Sequence, residues 1–210
     1  MSEPTSIPFL KVGFTDLDGV VRGKYIPYSK IEQSIEKGIG FCNVVFGWDM
    51  HDECYTKNSV SGWRTGFPDG VLKLDSTTLR KLPWEKGIEL YLGDFSEDPL
   101  LKAACPRSLL KRIQAQANEA GYQAKFGAEF EWFMFHKNSE DTSANNYQIM
   151  TPLSSGMFGY SVLRTTQFQE LTHRILSDLT AAKLPLDGPV SYTHLRAHET
   201  GRNVVLRLML

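Results

Sequence analysis

Glu129 and Glu131 stand two positions apart inside an otherwise apolar run, Gly127-Ala-Glu-Phe-Glu-Trp-Phe-Met-Phe135. An aromatic stretch of this kind favours a strand, bounded by Gly127 before it and the polar Lys137-Asn-Ser-Glu140 after it. Side chains alternate along a strand, so both glutamates share a face with Phe133 and Phe135. Two strand rises separate the carboxylates by roughly 7 Å, where bare charges repel by about 2 kcal/mol at an effective dielectric of ~20. The neighbouring Phe side chains add a desolvation cost. A hard divalent cation, Mg2+ or Mn2+, takes oxygen ligands and would relieve both. The competing reading of the same residues is an amphipathic strand whose glutamates face water.

Upstream stand Asp16-Leu-Asp-Gly-Val-Val-Arg-Gly-Lys24, Pro68-Asp69, Asp75-Ser-Thr-Thr78, Pro83-Trp84 and Pro106-Arg107. One dipeptide carries no information, but these groups in register ahead of a Gly-x-Glu-x-Glu are specific. In that order and spacing the chain resembles the glutamine synthetase family over roughly residues 9 to 188. The resemblance implies ATP-dependent ligation of ammonia or an organic amine to the γ-carboxylate of glutamate, through γ-glutamyl phosphate. It matches Glu129 to a ligand of the metal nearer the nucleotide phosphates and Glu131 to one on the metal nearer glutamate. It further implies Mg2+ or Mn2+, ATP as co-substrate and a homo-oligomer when full length. The family's remaining metal ligands, its phosphate-binding arginines and most of its adenine pocket belong to segments beyond Gly188.

Glutamine-forming members carry an Asp-Gly-Ser-Ser loop whose Asp helps hold ammonium. The matching stretch here is Phe46-Gly-Trp-Asp-Met-His-Asp-Glu-Cys54. Asp49 fills the Asp position as the candidate catalytic residue, but the Gly-Ser-Ser is gone. Three acids within five residues, Asp49, Asp52 and Glu53, would favour a larger cationic amine, as in relatives that γ-glutamylate polyamines. Alternatively Asp52 and Glu53 form a solvated loop face.

The 41% hydrophobic content of 210 residues is enough for a real core in one or two domains. A formal net charge of -1 gives no reason to invoke nucleic acid or an acidic membrane surface. No apolar run is long enough to span a bilayer, and Met1-Ser-Glu-Pro4 lacks the features of a secretory signal. Cys42, Cys54 and Cys105 read as reduced thiols without a zinc pattern, which suits a cytoplasmic protein.

Val12-Gly-Phe14 and Val20-Val21 flank an Asp18-Gly19 turn and predict a hairpin. Ser29 is placed to cap a short helix through Ile31 and Ile35, stopped at Gly38 or Gly40. Val71-Leu-Lys-Leu74 and Ile88-Glu-Leu-Tyr-Leu92 alternate as half-buried strands. Pro106 opens a helix carrying Leu109, Leu110, Ile113 and Ala117, closed by Gly121. A further helix is expected from Thr166 to Lys183, with Phe168, Leu171, Ile175 and Leu179 on one face. The order of elements is α+β in two unequal domains. By the resemblance these are a small β-grasp-like domain over residues 1–104 and the start of an α/β catalytic domain over residues 105–188.

From Pro189 the text changes character. Ser191-Tyr-Thr-His-Leu-Arg-Ala-His-Glu-Thr200 looks like a translated adapter or primer remnant, and all basic residues of 189–210 are Arg. His194 and His198 therefore make no zinc site, and no ligand is carried onto Glu199-Thr-Gly201. Arg22 and Lys24 read as surface charges beside a turn, and Trp63 and Trp84 as packing residues. His51, His136 and His173 have no sequence partners. Two other functions compete with the ligase: a non-catalytic assembly relative of the family, and an unrelated metal-binding module resting on Glu129 and Glu131 alone.

Overall fold

In a computed structural model of the chain, residues 8–127, 134–136, 152–153 and 159–187 are described. The Cα framework divides into two compact units, Met1–Gln123 with Asp178–Leu184, and Ala124–Ser177 with Pro185–Leu210.

The first unit is mixed α+β, built on a five-stranded sheet. Strand β1 (Phe9–Thr15) turns into β2 (Val21–Pro27), and helix α1 (Ile31–Lys37) leads to β3 (Ile39–Cys42). Strands β4 (Asp69–Lys81) and β5 (Glu89–Asp94) follow, then helices α2 (Pro99–Ala104) and α3 (Pro106–Glu119). The order across the sheet is β2-β1-β5-β4-β3, with β1 and β5 parallel and the other pairs antiparallel.

The hairpin forms where Asp18-Gly19 predicts it. Its loop is Leu17 to Gly19, closed by Asp16 N–H donating to the Val20 carbonyl at 3.0 Å, with Gly19 at φ 83°. A type I turn followed by a left-handed residue is the common three-residue solution, and glycine meets it without strain. Gly23 answers a different need. Opposite Gly13 in the register, its added Cβ would lie 2.2 Å from the Val12 carbonyl oxygen, so a side chain there would split the pair.

Helix α1 stops at Gly38, φ 83°, as expected. Its start differs: a 3-10 turn, Tyr28–Lys30, runs into the helix, and Ser29 caps nothing. Along β1 the alternation Leu10, Val12, Phe14 points to the core, joined by Leu72 and Leu74 of β4. Phe46, Phe95, Leu101 and Cys105 cover that face. Phe14 centres the packing, with ring centroids 5.1 Å from Phe41, 6.1 Å from Phe46 and 5.0 Å from Phe95. Offset and edge-on aromatic contacts of this kind add to the apolar burial.

In the second unit Phe135 bridges Pro152 in antiparallel fashion, and Leu153 N–H donates to the Met134 carbonyl at 2.9 Å. Most of the strand expected over 127–135, and the polar loop after it, lie outside the described residues. Two helices stand in place of the single one expected from Thr166. Helix α4 (Val162–Gln167) is capped by the Ser161 hydroxyl, and α5 (Gln169–Ala181) follows after a break at Phe168. No helix among the described residues is long and apolar enough to cross a membrane.

Candidate functional site

The hairpin acid Asp16 is almost fully buried, and its carboxylate is spoken for on both oxygens. Oδ1 accepts the amides of Asp18 and Val20 at 3.0 and 2.9 Å, and Oδ2 accepts Nε of Arg22 at 2.7 Å. Arg22 was expected at the surface; its side chain is instead 17% exposed and reaches across to the loop after the 3-10 turn Asn43–Phe46. There Nη1 donates to Asp52 Oδ1 at 2.5 Å and Nη2 to the Asp49 carbonyl at 3.1 Å. The guanidinium carbon sits 5.2 Å from the Trp48 ring centroid. A planar fork with several donors is what lets one residue serve three acceptors. The sequence signal was present, since Asp16 and Arg22 flank one turn, but nothing local points to the loop 26 positions on from Arg22 at Trp48.

The loop itself is a tight turn. Trp48 and Cys54 form an isolated antiparallel bridge, and Asp49 N–H donates to the Glu53 carbonyl at 3.0 Å. Asp49 Oδ1 accepts the amides of His51 and Glu53 at 2.8 and 3.0 Å. Those amides, Glu53 first, hold the Asp49 carboxyl below the usual carboxylate range, and the charges of His51 and Arg22 add to the effect. No hydrogen bond among the described residues takes up Oδ2. Asp52 adopts φ 64°, a left-handed conformation that Asp tolerates better than most residues. Its carboxylate is therefore not a free second acid beside Asp49, because it pairs with Arg22. Nearby, partial desolvation and then the charges of Asp18, Asp49 and Asp16 push the Tyr55 hydroxyl up.

Two more of the sequence groups meet where β4 runs beside β5. Between Asp75 and Arg80 the β4–β5 register shifts, and the Thr78 hydroxyl takes the place of a backbone acceptor for the Leu92 amide at 2.9 Å. Asp75 Oδ1 ties the bulge by accepting the Thr77 hydroxyl and amide at 2.6 and 3.1 Å. Its Oδ2 accepts Nη2 of Arg107 at 2.6 Å and faces Lys111 Nζ at 3.3 Å, while Lys111 donates to Asp94 at 2.6 Å. The Thr77 hydroxyl first, then Arg107, hold the Asp75 carboxyl well below its usual range. Helix α3 thus turns Arg107, Ser108 and Lys111 toward the sheet, and Leu109, Leu110 and Ile113 outward.

Glu129 and Glu131 lie outside the described residues. Among the described residues no group of three or more His, Cys, Asp or Glu could hold a metal ion. His51, His136 and His173 are exposed, and the three cysteines are free thiols. Trp63, expected in the core, is 88% exposed, with its ring edge-on to Phe67 at 5.2 Å. Trp84 is half exposed, in a turn between β4 and β5 that Glu85 ties back to Lys11 and Tyr25.

A model of the glutamine synthetase catalytic domain matches residues 103–201. Type-1 glutamine synthetase 2 of Dictyostelium discoideum is 42% identical over 184 residues, covering 86% of this chain and 35% of that protein. Gamma-glutamylethanolamide synthetase GlnA4 of Streptomyces coelicolor is 28% identical over 190 residues, covering 90% of this chain and 41% of its own length. A glutamate–isopropylamine ligase of a Pseudomonas species is 26% identical over 189 residues, covering 88% and 41%. The chain therefore spans 35% to 41% of the length of these relatives. The fold is similar to that of a GmaS–ADP complex, with a TM-score of 0.61 and 23% identity over 84% of this chain and 36% of the other. The matched residues, these relatives and the shared fold agree: the chain belongs to the glutamine synthetase family.

Proposed function

We propose that this protein ligates an organic amine, in preference to ammonia, to the γ-carboxylate of glutamate at the cost of ATP. The observation that carries the acceptor is the loop from Trp48 to Cys54. Of its acids, Asp52 is paired with Arg22, whereas Asp49 is fixed through Oδ1 and keeps Oδ2 clear of hydrogen bonds among the described residues. One relative is named for a γ-glutamylethanolamide and another for isopropylamine, which supports the same direction.

In this reaction the γ-carboxylate attacks the terminal phosphorus of ATP and ADP leaves. The amine nitrogen then attacks the acyl carbon, and phosphate departs with the C–O electron pair. Asp49 attracts the protonated amine and takes its proton as it becomes nucleophilic. A carboxylate held below its usual range binds a cation well and a proton poorly, so the proton passes on to water. Glu129 and Glu131 would hold Mg2+ or Mn2+ through hard oxygen donors, and a bound cation neutralises charge on the transferring phosphoryl group.

The parallel β1–β5 pair at the centre of the sheet supports a β-grasp-like domain over residues 1–104. The family model's start at residue 103 supports a catalytic domain beginning near Cys105. Residues 189–210 are read as non-native, although the family match runs on to residue 201. A cytoplasmic homo-oligomer is the expected full-length form. The test is an acceptor panel of ammonium, methylamine, ethanolamine, putrescine and spermidine, each with glutamate and ATP, on the full-length protein and its Asp49→Asn variant. An organic amine should lead in kcat/KM, and Asp49→Asn should raise its KM. Ammonium leading by a wide margin would return the protein to ordinary glutamine synthesis.

A further inference from the structure

We propose that Arg22 is the positioning residue of the acceptor loop, setting where Asp49 stands and thereby the affinity for a cationic amine. This rests on the acceptor reading of Asp49 given above. Among the described residues, every hydrogen bond that crosses from residues 48–54 to the sheet belongs to Arg22: Nη1 to Asp52 Oδ1 at 2.5 Å and Nη2 to the Asp49 carbonyl at 3.1 Å. The loop's other bonds close on the loop itself, from Asp49 to Glu53, from Asp52 to Asp49, and from the His51 and Glu53 amides to Asp49 Oδ1. Trp48 packs against the core at the base of the loop, and the segment beyond it keeps its internal shape but has no hydrogen-bonded address of its own among the described residues.

Arg22 supplies the address because its other end is anchored. Nε donates at 2.7 Å to Asp16, which is 2% exposed and itself locked by the Asp18 and Val20 amides. The guanidinium carbon also lies 5.2 Å from the Trp48 ring centroid, a cation–π contact at the base of the loop. The hairpin's rigidity is thus passed through one side chain to the backbone of the residue that meets the amine. Arg22 also draws the Asp52 carboxylate to itself, so of the loop's acids Asp49 and the exposed Glu53 are the ones not paired with it. Lysine could hold one of these acceptors but not three, so Arg22→Lys keeps the charge and loses the fork.

The experiment is native-state hydrogen exchange together with steady-state kinetics on the full-length protein and its Arg22→Lys, Arg22→Gln and Asp52→Asn variants. Expected for both Arg22 variants is at least tenfold faster exchange of the His51 and Glu53 amides, with β1 and β5 amides changed less than about threefold. The KM for the best organic amine should rise at least tenfold, well beyond any fall in kcat. Asp52→Asn leaves the Asp16 pair intact and should act in the same direction by a smaller factor, which keeps the test open if an Arg22 variant folds poorly. Uniform acceleration across hairpin and loop, or an unchanged amine KM with Asp49→Asn still raising it, would overturn the proposal and leave Arg22 a plain brace. If Asp49→Asn also leaves the amine KM unchanged, the acceptor reading fails, and loop-specific exchange alone decides whether Arg22 positions the loop.

Discussion

Asp75 and Arg107, 32 positions apart, meet at 2.6 Å and join the bulge of β4 to the first turn of α3. Both belong to the sequence groups that carry the family resemblance, and so do Asp16 and Arg22, which pair at 2.7 Å. The charged residues of these groups thus find each other. Their work in this part of the molecule is positioning: one pair shapes the hairpin and its neighbouring loop, the other seats a helix on the end of the sheet.

Breaking the second pair should be costly for a contact so near the surface. Arg107→Ala should lower stability by about 2 kcal/mol, the scale of a charge-assisted hydrogen bond, since Lys111 still faces Asp75 at 3.3 Å. Asp75→Ala should cost more, about 3 kcal/mol, because the Thr77 tie of the bulge goes as well. Urea midpoints at neutral pH measure both, and equal stability of all three proteins would mean the network is decorative.

Asp75 also gives stability a defined dependence on acid. Its carboxyl lies well below the usual range in the fold, while in the unfolded chain it titrates at about 3.9. As pH falls, the unfolded chain takes up the proton first, so the stabilisation present above that value drains away as pH descends toward the folded-state pKa. The penalty for Asp75→Asn should therefore shrink between pH 5 and pH 3. Denaturant midpoints of the two proteins across that range should converge; parallel curves would assign the acid sensitivity to other groups.

Most signals contained within one turn carry over to the structure, the Ser29 cap and the helix start at Thr166 excepted, whereas partnerships across the chain are not legible in the sequence. The hairpin at Asp18-Gly19, the helix stop at Gly38 and the helix start at Pro106 each depend on residues within one turn. Strand β4 was expected only over 71–74, because nothing in the sequence shows that the Thr78 hydroxyl would replace a backbone acceptor and carry the strand to Lys81. Arg22 was misplaced for a similar reason: its burial comes from Trp48 and Asp52, far along the chain. Of the candidate site, Asp49 was placed by its match to a family position, and its clamp became legible only in three dimensions.

The glutamate pair gives a prediction about charge at constant shape. In the full-length protein Glu129→Gln and Glu131→Gln should each lose orders of magnitude in rate, with divalent-metal dependence strict in the parent and thermal midpoints nearly unchanged. An amide keeps the volume of the side chain and removes the charge that holds a cation. The 210-residue chain by itself should show no glutamate- and amine-dependent ATP turnover, since two carboxylates leave Mg2+ largely hydrated. Near-normal activity in both variants would favour the water-facing strand instead.

Helix α3 supplies the last test. Its apolar residues Leu109, Leu110 and Ile113 recur at helical spacing, yet they are 42%, 58% and 50% exposed, because the sheet takes the polar side through Arg107 and Lys111. An amphipathic helix that turns its apolar stripe to water gains nothing from it in folding and adds a surface that other apolar groups can wet. In the 210-residue chain, Leu110→Glu with Ile113→Glu should therefore change unfolding free energy by less than about 0.5 kcal/mol, the range of surface substitutions. The same change should cut binding of a hydrophobic dye and slow concentration-dependent light scattering on warming. Substituting the buried Ser108 with Leu should do the reverse, lowering stability through overpacking while leaving the dye signal alone. A double glutamate variant that unfolds would show that this stripe is covered within the chain, and that the outward face has been assigned to the wrong side of the helix.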